Sequence, residues 1–114
     1  MSGAVAEATK ENFRDLVGTG TVLVDVWGPQ CRPCIALMPH VERIATERPE
    51  LKVVKLDSSQ NRRLCMELRL MGLPVFLLFR DGKEIARFAS PEMTDLDLER
   101  WLDKTLKEVS RPSC

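Results

Sequence analysis

Apolar segments with two different periodicities alternate along this chain, and this alternation restricts the fold more than any other feature. Residues 22–27 are almost continuously apolar and β-branched, which predicts a strand buried on both faces. Residues 31–48 carry apolar side chains at helical spacing and predict a long amphipathic helix. Residues 51–56 predict a second buried strand. Leu64, Leu68 and Met71 predict a further helix that ends at Gly72.

The remaining segments extend the same alternation. Two apolar runs, 75–79 and 84–88, flank Asp81-Gly82 and predict an antiparallel hairpin. Thr94 followed by Asp97 predicts the start of a last helix that continues to Val109. A helix over 9–17 and a short strand near 4–8 precede them. We therefore expect a single α/β domain over 1–114, with a central mixed β-sheet of four to five strands flanked by about four helices. The tail, 110–114, is expected to be flexible.

Composition and charge exclude several classes of function. The chain has 114 residues, and its 17 Lys+Arg balance its 17 Asp+Glu, so no basic surface favours nucleic acid or an anionic membrane. No apolar run approaches the ~20 residues needed to cross a bilayer. The first residues lack the charged and apolar regions of a secretory leader. We expect a cytoplasmic protein with no nucleic-acid or membrane partner.

Two of the four cysteines, Cys31 and Cys34, stand three residues apart at the start of the long helix. In a sheet of this kind that helix start lies at the carboxyl ends of the strands, where ligand chemistry occurs. The free N–H groups and the dipole of a helix N-terminus stabilise a thiolate, so Cys31 is predicted to attack and Cys34 to close a disulfide with it. Arg32 adds a positive charge, and Pro33 restricts the turn.

The same spacing of two cysteines also occurs in zinc sites, which need further ligands. Cys65 and Cys114 are single residues far along the chain, and His40 lies in mid-helix. A redox dithiol is therefore favoured over a metal site or a Cys–His hydrolase, and we expect no metal and no cofactor. Cys65 is predicted to act as a small apolar side chain. Cys114 is predicted to be an exposed thiol without a catalytic role.

Two motifs resemble the thioredoxin family. Residues 22–34, VLVDVWGPQCRPC, resemble the active-site segment of that family, and residues 72–82, GLPVFLLFRDG, resemble its later proline-and-hairpin segment. The resemblance extends over nearly the whole chain. It implies a thioredoxin fold and a monomeric protein disulfide oxidoreductase that reduces client disulfides and is recycled by a thioredoxin reductase.

The resemblance also implies roles for individual residues. Cys31 corresponds to the nucleophile, Cys34 to the resolving thiol and Asp25 to a buried carboxylate beneath them. Burial raises the pKa of a carboxyl group, so Asp25 is expected to exchange protons near neutral pH and to deprotonate Cys34. A structural alternative remains, in which Asp25 is simply hydrogen-bonded to the backbone or to Lys55.

Around the dithiol, the resemblance implies a client-binding surface and a lysine near the buried acid. The corresponding residues are Trp27, Arg32, Pro33, Leu73 and Pro74 for the surface, and Lys55 for the lysine. Pro74 is expected to be a cis-proline facing the dithiol, and the backbone of Leu73 is expected to pair with an extended substrate. Two structural alternatives remain: Pro74 as an ordinary proline at the start of a strand, and Trp27 as a core aromatic.

Three departures from the family pattern concern the region around the dithiol. Gly28-Pro29-Gln30 replaces the usual second tryptophan, Arg32 replaces a glycine, and Ser90 stands where a glycine usually admits the client backbone. Arg32 is expected to stabilise the Cys31 thiolate and to make the disulfide more oxidising. The alternatives to a reductase are therefore a more oxidising oxidase or isomerase, and a binding subunit with the same fold.

Overall fold

The computed structural model describes residues 5–110, so Cys114 and the rest of the predicted tail beyond residue 110 lie outside the described residues. Five strands and four helices alternate in these residues: β1 Val5–Ala8, α1 Phe13–Val17, β2 Thr21–Trp27, α2 Arg32–Glu47, β3 Leu51–Asp57, α3 Arg62–Glu67, β4 Val75–Arg80, β5 Lys83–Ala89 and α4 Asp95–Ser110. Within this range no helix combines the length and the apolar character needed to cross a membrane.

The strands form one mixed sheet in the order β1-β3-β2-β4-β5. β1 and β2 both run parallel to β3, whereas β4 is antiparallel to β2 and β5 is antiparallel to β4. The β4–β5 hairpin turns at Asp81 and Gly82, which both adopt left-handed backbone angles, with φ of 51° and 86°. That geometry matches the twist of the paired strands. The predicted α/β architecture and hairpin are confirmed.

Helices cover both faces of the sheet, and each face has its own buried core. Phe13 of α1 and Leu64 of α3 pack with Val24 of β2 on one face. Val41 of α2 and Leu98 of α4 pack with Leu23 on the other. Successive side chains of a strand alternate between the two faces of the sheet. Asp25 and Trp27, two and four residues after Leu23 on β2, therefore also point toward the face covered by α2 and α4.

The helix boundaries differ from the prediction in two places. The first helix begins at Phe13 rather than at residue 9, because the backbone N–H of Thr9 donates to Asn12 Oδ1 at 2.6 Å and holds a turn before it. The prediction that Met71 belongs to the buried stripe of the third helix was wrong. That helix ends at Glu67, and Met71 is 95% exposed in the following loop.

The start of the last helix agrees with the sequence. The N–H of Asp97 donates to Thr94 Oγ1 at 3.1 Å, and the N–H of Thr94 donates to Asp97 Oδ2 at 3.0 Å. Each side chain thus satisfies a backbone donor that the first turn leaves free. The hydrogen bond that the Asp97 carboxylate accepts from the N–H of Thr94 also lowers the pKa of Asp97.

Candidate active site

The connection from β2 to α2 places the two neighbouring cysteines at the carboxyl end of the sheet. A turn follows Trp27, closed by a hydrogen bond from the N–H of Cys31 to the carbonyl of Gly28 at 3.0 Å. Cys31 is the N-cap of α2, with extended backbone angles of φ −96° and ψ 101°. Its sulfur therefore lies at the positive end of a 16-residue helix, where negative charge is stabilised.

Cys31 and Cys34 form a disulfide, with their Cα atoms 5.3 Å apart. The backbone N–H of Cys34 also lies 3.2 Å from Cys31 Sγ and donates to it. Cys34 is only 1% exposed, whereas Cys31 is half-buried. Of the two sulfur-bearing residues, Cys31 is thus the one accessible to a partner, and it has a hydrogen-bond donor suited to a thiolate.

Asp25 is buried on the face of the sheet that α2 covers, and only 2% of its surface is exposed. In the register of the sheet it is paired with Lys55 on β3 and with Phe76 on β4. Burial raises the pKa of Asp25 from 3.8 to about 7, although the charge of Lys55 acts in the opposite direction. The carboxyl group can therefore bind and release a proton near neutral pH.

Trp27 is the last residue of β2 and borders the turn that leads to Cys31. Lys55 Nζ lies 6.0 Å from the centroid of its ring, so the same lysine interacts with both Asp25 and the aromatic ring. The indole Nε1 is buried and has no hydrogen-bond partner among residues 5–110. Trp27 is half-buried at the end of β2, beside the turn that carries the disulfide.

The Leu73–Pro74 peptide bond is cis, as expected. Pro74 immediately precedes Val75, which pairs with Val26 near the carboxyl end of β2. Pro74 therefore lies at the same end of the sheet as the disulfide. A cavity of about 210 Å³ opens here between residues 71–74 and 89–91. The N–H of Ser90 donates to the carbonyl of Pro74 at 3.3 Å across this region.

Gly28 is a residue whose role the sequence did not reveal. A β-carbon at this position would lie 3.1 Å from Leu73 Cδ1 and 3.3 Å from Ser58 Oγ. Both distances are shorter than ordinary packing contacts. The absence of a side chain at Gly28 therefore allows the β2–α2 turn to pack against the segment that contains Leu73 and Pro74.

The other predicted site residues lie on the first turn of α2. Arg32 is exposed as the first residue of the helix, and Pro33 is half-buried at the second. Proline is favoured in this turn because its missing N–H would have no intrahelical acceptor. The structure therefore brings both residues next to the disulfide.

Cys65 and His40 have partners other than the disulfide. Cys65 packs against the core on the opposite face of the sheet, and both burial and the nearby charge of Asp57 raise the pKa of its thiol. His40 Nε2 lies 2.8 Å from Glu99 Oε2 and links α2 to α4. Among residues 5–110, no group of three or more His, Cys, Asp or Glu side chains is arranged to hold a metal ion.

Comparison with known proteins identifies the family to which this fold belongs. The family model described as thioredoxin matches residues 4–104. The chain belongs to the thioredoxin family. It is 35% identical over 101 residues to a thioredoxin of Acetoanaerobium sticklandii, covering 86% of this chain and 96% of that protein. It is 33% identical over 108 residues to a thioredoxin of Peptoclostridium acidaminophilum, covering 91% and 97%.

A solved structure shares the fold. The crystal structure of a Malassezia sympodialis thioredoxin matches with a TM-score of 0.78 and 20% identity, covering 88% of this chain and 89% of that one. Membership of the thioredoxin family, together with the Cys31–Cys34 pair, supports thiol–disulfide oxidoreductase chemistry for this chain.

Proposed function

We propose that this protein is a protein disulfide reductase that uses Cys31 and Cys34 to reduce disulfides of client proteins. The observation that supports this most strongly is the disulfide at the N-terminus of α2, in which Cys31 is accessible and Cys34 is buried. An accessible sulfur suits attack on a macromolecule, and a buried one suits an intramolecular second step.

The reaction consists of two exchanges. The thiolate of reduced Cys31 attacks one sulfur of the client disulfide, and the other client sulfur leaves as a thiolate. Asp25 accepts the proton of Cys34, whose thiolate then attacks the Cys31 sulfur of the mixed disulfide. The second client sulfur leaves, so two electrons have passed to the client and Cys31–Cys34 is oxidised. The thiolates released by the client take up protons from solvent or from Asp25.

The residues around the disulfide form the client-binding surface in this proposal. Leu73 and Pro74 offer a backbone edge next to the disulfide, and the cavity between residues 71–74 and 89–91 receives a client side chain. Trp27, Arg32 and Pro33 border the same surface. Ser90, which lines that cavity, narrows the approach of a client backbone compared with a glycine.

Family membership supports further proposals about the domain, the location and the electron donor of this protein. We propose that the 114 residues form one thioredoxin domain that acts as a cytoplasmic monomer without a bound cofactor. A thioredoxin reductase returns the disulfide to the dithiol, so the protein transfers electrons and maintains the redox state of its clients.

Reduction of insulin disulfides tests the proposed function. The protein is supplied with electrons either by dithiothreitol or by NADPH and a thioredoxin reductase, and precipitation of the free insulin chains is followed by turbidity. We expect catalysis with dithiothreitol, and also with a matched reductase. Catalysis with dithiothreitol alone would contradict the proposed recycling partner, whereas no catalysis with either would contradict the reductase function.

Arg32 favours a second candidate function, that of a more oxidising disulfide oxidase or isomerase. Its charge, on the first residue of α2, stabilises the reduced thiolate form and so raises the reduction potential. A measured equilibrium with glutathione distinguishes the two functions. A strongly oxidising potential would favour the oxidase, and a strongly reducing one the reductase.

The variant Arg32→Gly measures the contribution of that charge. We expect its Cys31 thiolate to form at a pH higher by about half a unit, because an exposed charge next to the sulfur is partly screened by solvent. The absorbance of the thiolate near 240 nm, followed against pH in the reduced protein, gives this shift. Arg32→Lys is the control and is expected to keep most of the effect. An unchanged or lower midpoint in Arg32→Gly would contradict the role of Arg32.

A further inference from the structure

Arg87 of β5 binds the end of α3 with its guanidinium group. Its Nη2 donates to the carbonyl of Leu68 at 2.9 Å, and its Nη1 donates to the carbonyl of Arg69 at 3.0 Å. The carboxylate of Glu84 accepts from Nε at 2.5 Å and from Nη2 at 2.8 Å. Arg87 is therefore fixed on one side by Glu84 and holds two backbone carbonyls on the other.

These carbonyls lie where the chain leaves the helix. α3 ends at Glu67, and the carbonyls after the last turn of a helix have no intrahelical donor. A cation at this end also interacts favourably with the helix dipole. Arg69 has a φ of 57°, a left-handed conformation that a side chain disfavours. Backbone hydrogen bonds from the N–H groups of Arg69 and Leu70 close this turn, and the two hydrogen bonds from Arg87 tie it to β5.

The turn at Arg69 begins the segment that ends at the cis-proline. Met71 and Gly72 in the middle of this segment are exposed, whereas Leu70 and Leu73 pack against the core that contains Phe13. At its far end Pro74 is buried and joins the sheet at Val75. The position of the Leu73 backbone therefore depends on these core contacts and also on how the segment is held at its first residues.

We propose that Arg87 is a positioning residue for client binding, because it holds the 68–74 segment so that Leu73 presents its backbone to the client next to the disulfide. This inference rests on the proposed function. Arg87 itself lies outside the reacting groups, so its loss changes how well a client binds and leaves the Cys31 thiolate intact.

The variant Arg87→Gln tests the proposal in insulin reduction driven by dithiothreitol. We expect KM to rise about tenfold while kcat stays within about twofold. The reason is that the variant weakens client binding but does not change the chemistry of the sulfur atoms. Alkylation of reduced Cys31 by iodoacetamide needs no bound client, and its rate is expected to stay unchanged. Arg87→Lys keeps the charge but not the forked pair of donors, and it is expected to restore KM only partly.

Arg80→Gln is a matched control, because Arg80 Nη1 also donates to a carbonyl near a helix end, that of Val109 at 3.4 Å. Arg80 lies at the opposite end of β4 from Pro74, so its variant is expected to keep the wild-type KM. Glu84→Gln removes only the partner that orients Arg87, and it is expected to raise KM about threefold. This milder variant provides the test if Arg87→Gln does not fold.

Three results would overturn the inference. They are a wild-type KM in both Arg87→Gln and Glu84→Gln, an equal rise of KM in Arg80→Gln, and a loss of Cys31 alkylation that parallels the loss of client reduction. Failure of the proposed function would appear differently, since the wild-type protein itself would then not reduce insulin.

Discussion

Disulfide reduction is abolished when Cys31 is replaced by serine, with an expected loss of at least about 10³-fold in turnover. A serine hydroxyl at the N-terminus of α2 is not ionised near neutral pH, so it cannot attack a client disulfide. Replacing Cys34 instead leaves the first exchange intact and removes the second, and the mixed disulfide with the client then accumulates. Insulin reduction measures the loss, and mass spectrometry of the intact Cys34→Ser adduct detects the trapped client.

Cys65→Ser is the matched control for both variants. Cys65 packs on the other face of the sheet, and burial and Asp57 raise the pKa of its thiol. We expect this variant to retain wild-type turnover. Substantial activity in Cys31→Ser, or a trapped client attached to Cys65, would contradict the assignment of the nucleophile.

Asp25→Asn is expected to raise the free energy of unfolding of the oxidised protein at alkaline pH. It is also expected to make that free energy less dependent on pH. The folded protein raises the pKa of Asp25 from 3.8 to about 7. Between about pH 4 and pH 7 the folded form therefore keeps a proton that the unfolded form has released, and the stability of the wild type falls as pH rises through this window. At pH 8 the raised pKa of Asp25 lowers the free energy of unfolding of the wild type by about 4 kcal/mol.

The amide in the variant has no charge to bury, although its buried polar atoms offset part of the gain by about 1 kcal/mol. We expect Asp25→Asn to exceed the wild type in free energy of unfolding by roughly 3 kcal/mol at pH 8 and by much less at pH 5. Denaturation by guanidinium at both pH values measures the difference, and other titrating groups cancel because both proteins contain them. A difference that is the same at pH 5 and pH 8 would contradict the raised pKa.

The same substitution separates the catalytic role of Asp25 from a structural one. Without the carboxyl group, Cys34 has no buried proton acceptor, so the mixed disulfide should persist and turnover should fall about 10²-fold at pH 7. The alkylation rate of Cys31 should change far less than turnover. Unchanged turnover in Asp25→Asn would support the structural alternative, in which the acid is only a partner of Lys55.

The architecture could be predicted because periodicity is a local property of the sequence. The apolar, β-branched run from Val22 to Trp27 predicts a buried strand, and Asp81-Gly82 between two apolar runs predicts a tight hairpin. The helix start at Cys31 follows from the same local pattern. It places the two cysteines at the carboxyl end of the sheet, where the structure has their disulfide.

The parts that could not be predicted depend on contacts distant in the chain. Met71 fits a helical stripe by spacing, but Arg87 binds the carbonyls of Leu68 and Arg69 from 19 and 18 residues away and holds the turn where α3 has already ended. His40 likewise gave no sign of its pairing with Glu99 on α4. No local pattern encodes which side chain of one element reaches the backbone or the charge of another.

Selective alkylation of the reduced protein tests the central claim most directly. Limited iodoacetamide at pH 6, followed by peptide mass spectrometry, compares Cys31 with Cys34, Cys65 and Cys114 in one molecule. Because a thiolate reacts and a thiol does not, we expect modification almost entirely at Cys31, at a rate at least about tenfold above that of Cys65. Modification of another cysteine first, or equal and slow reaction at all four, would show that the sulfur at the start of α2 is not an activated nucleophile.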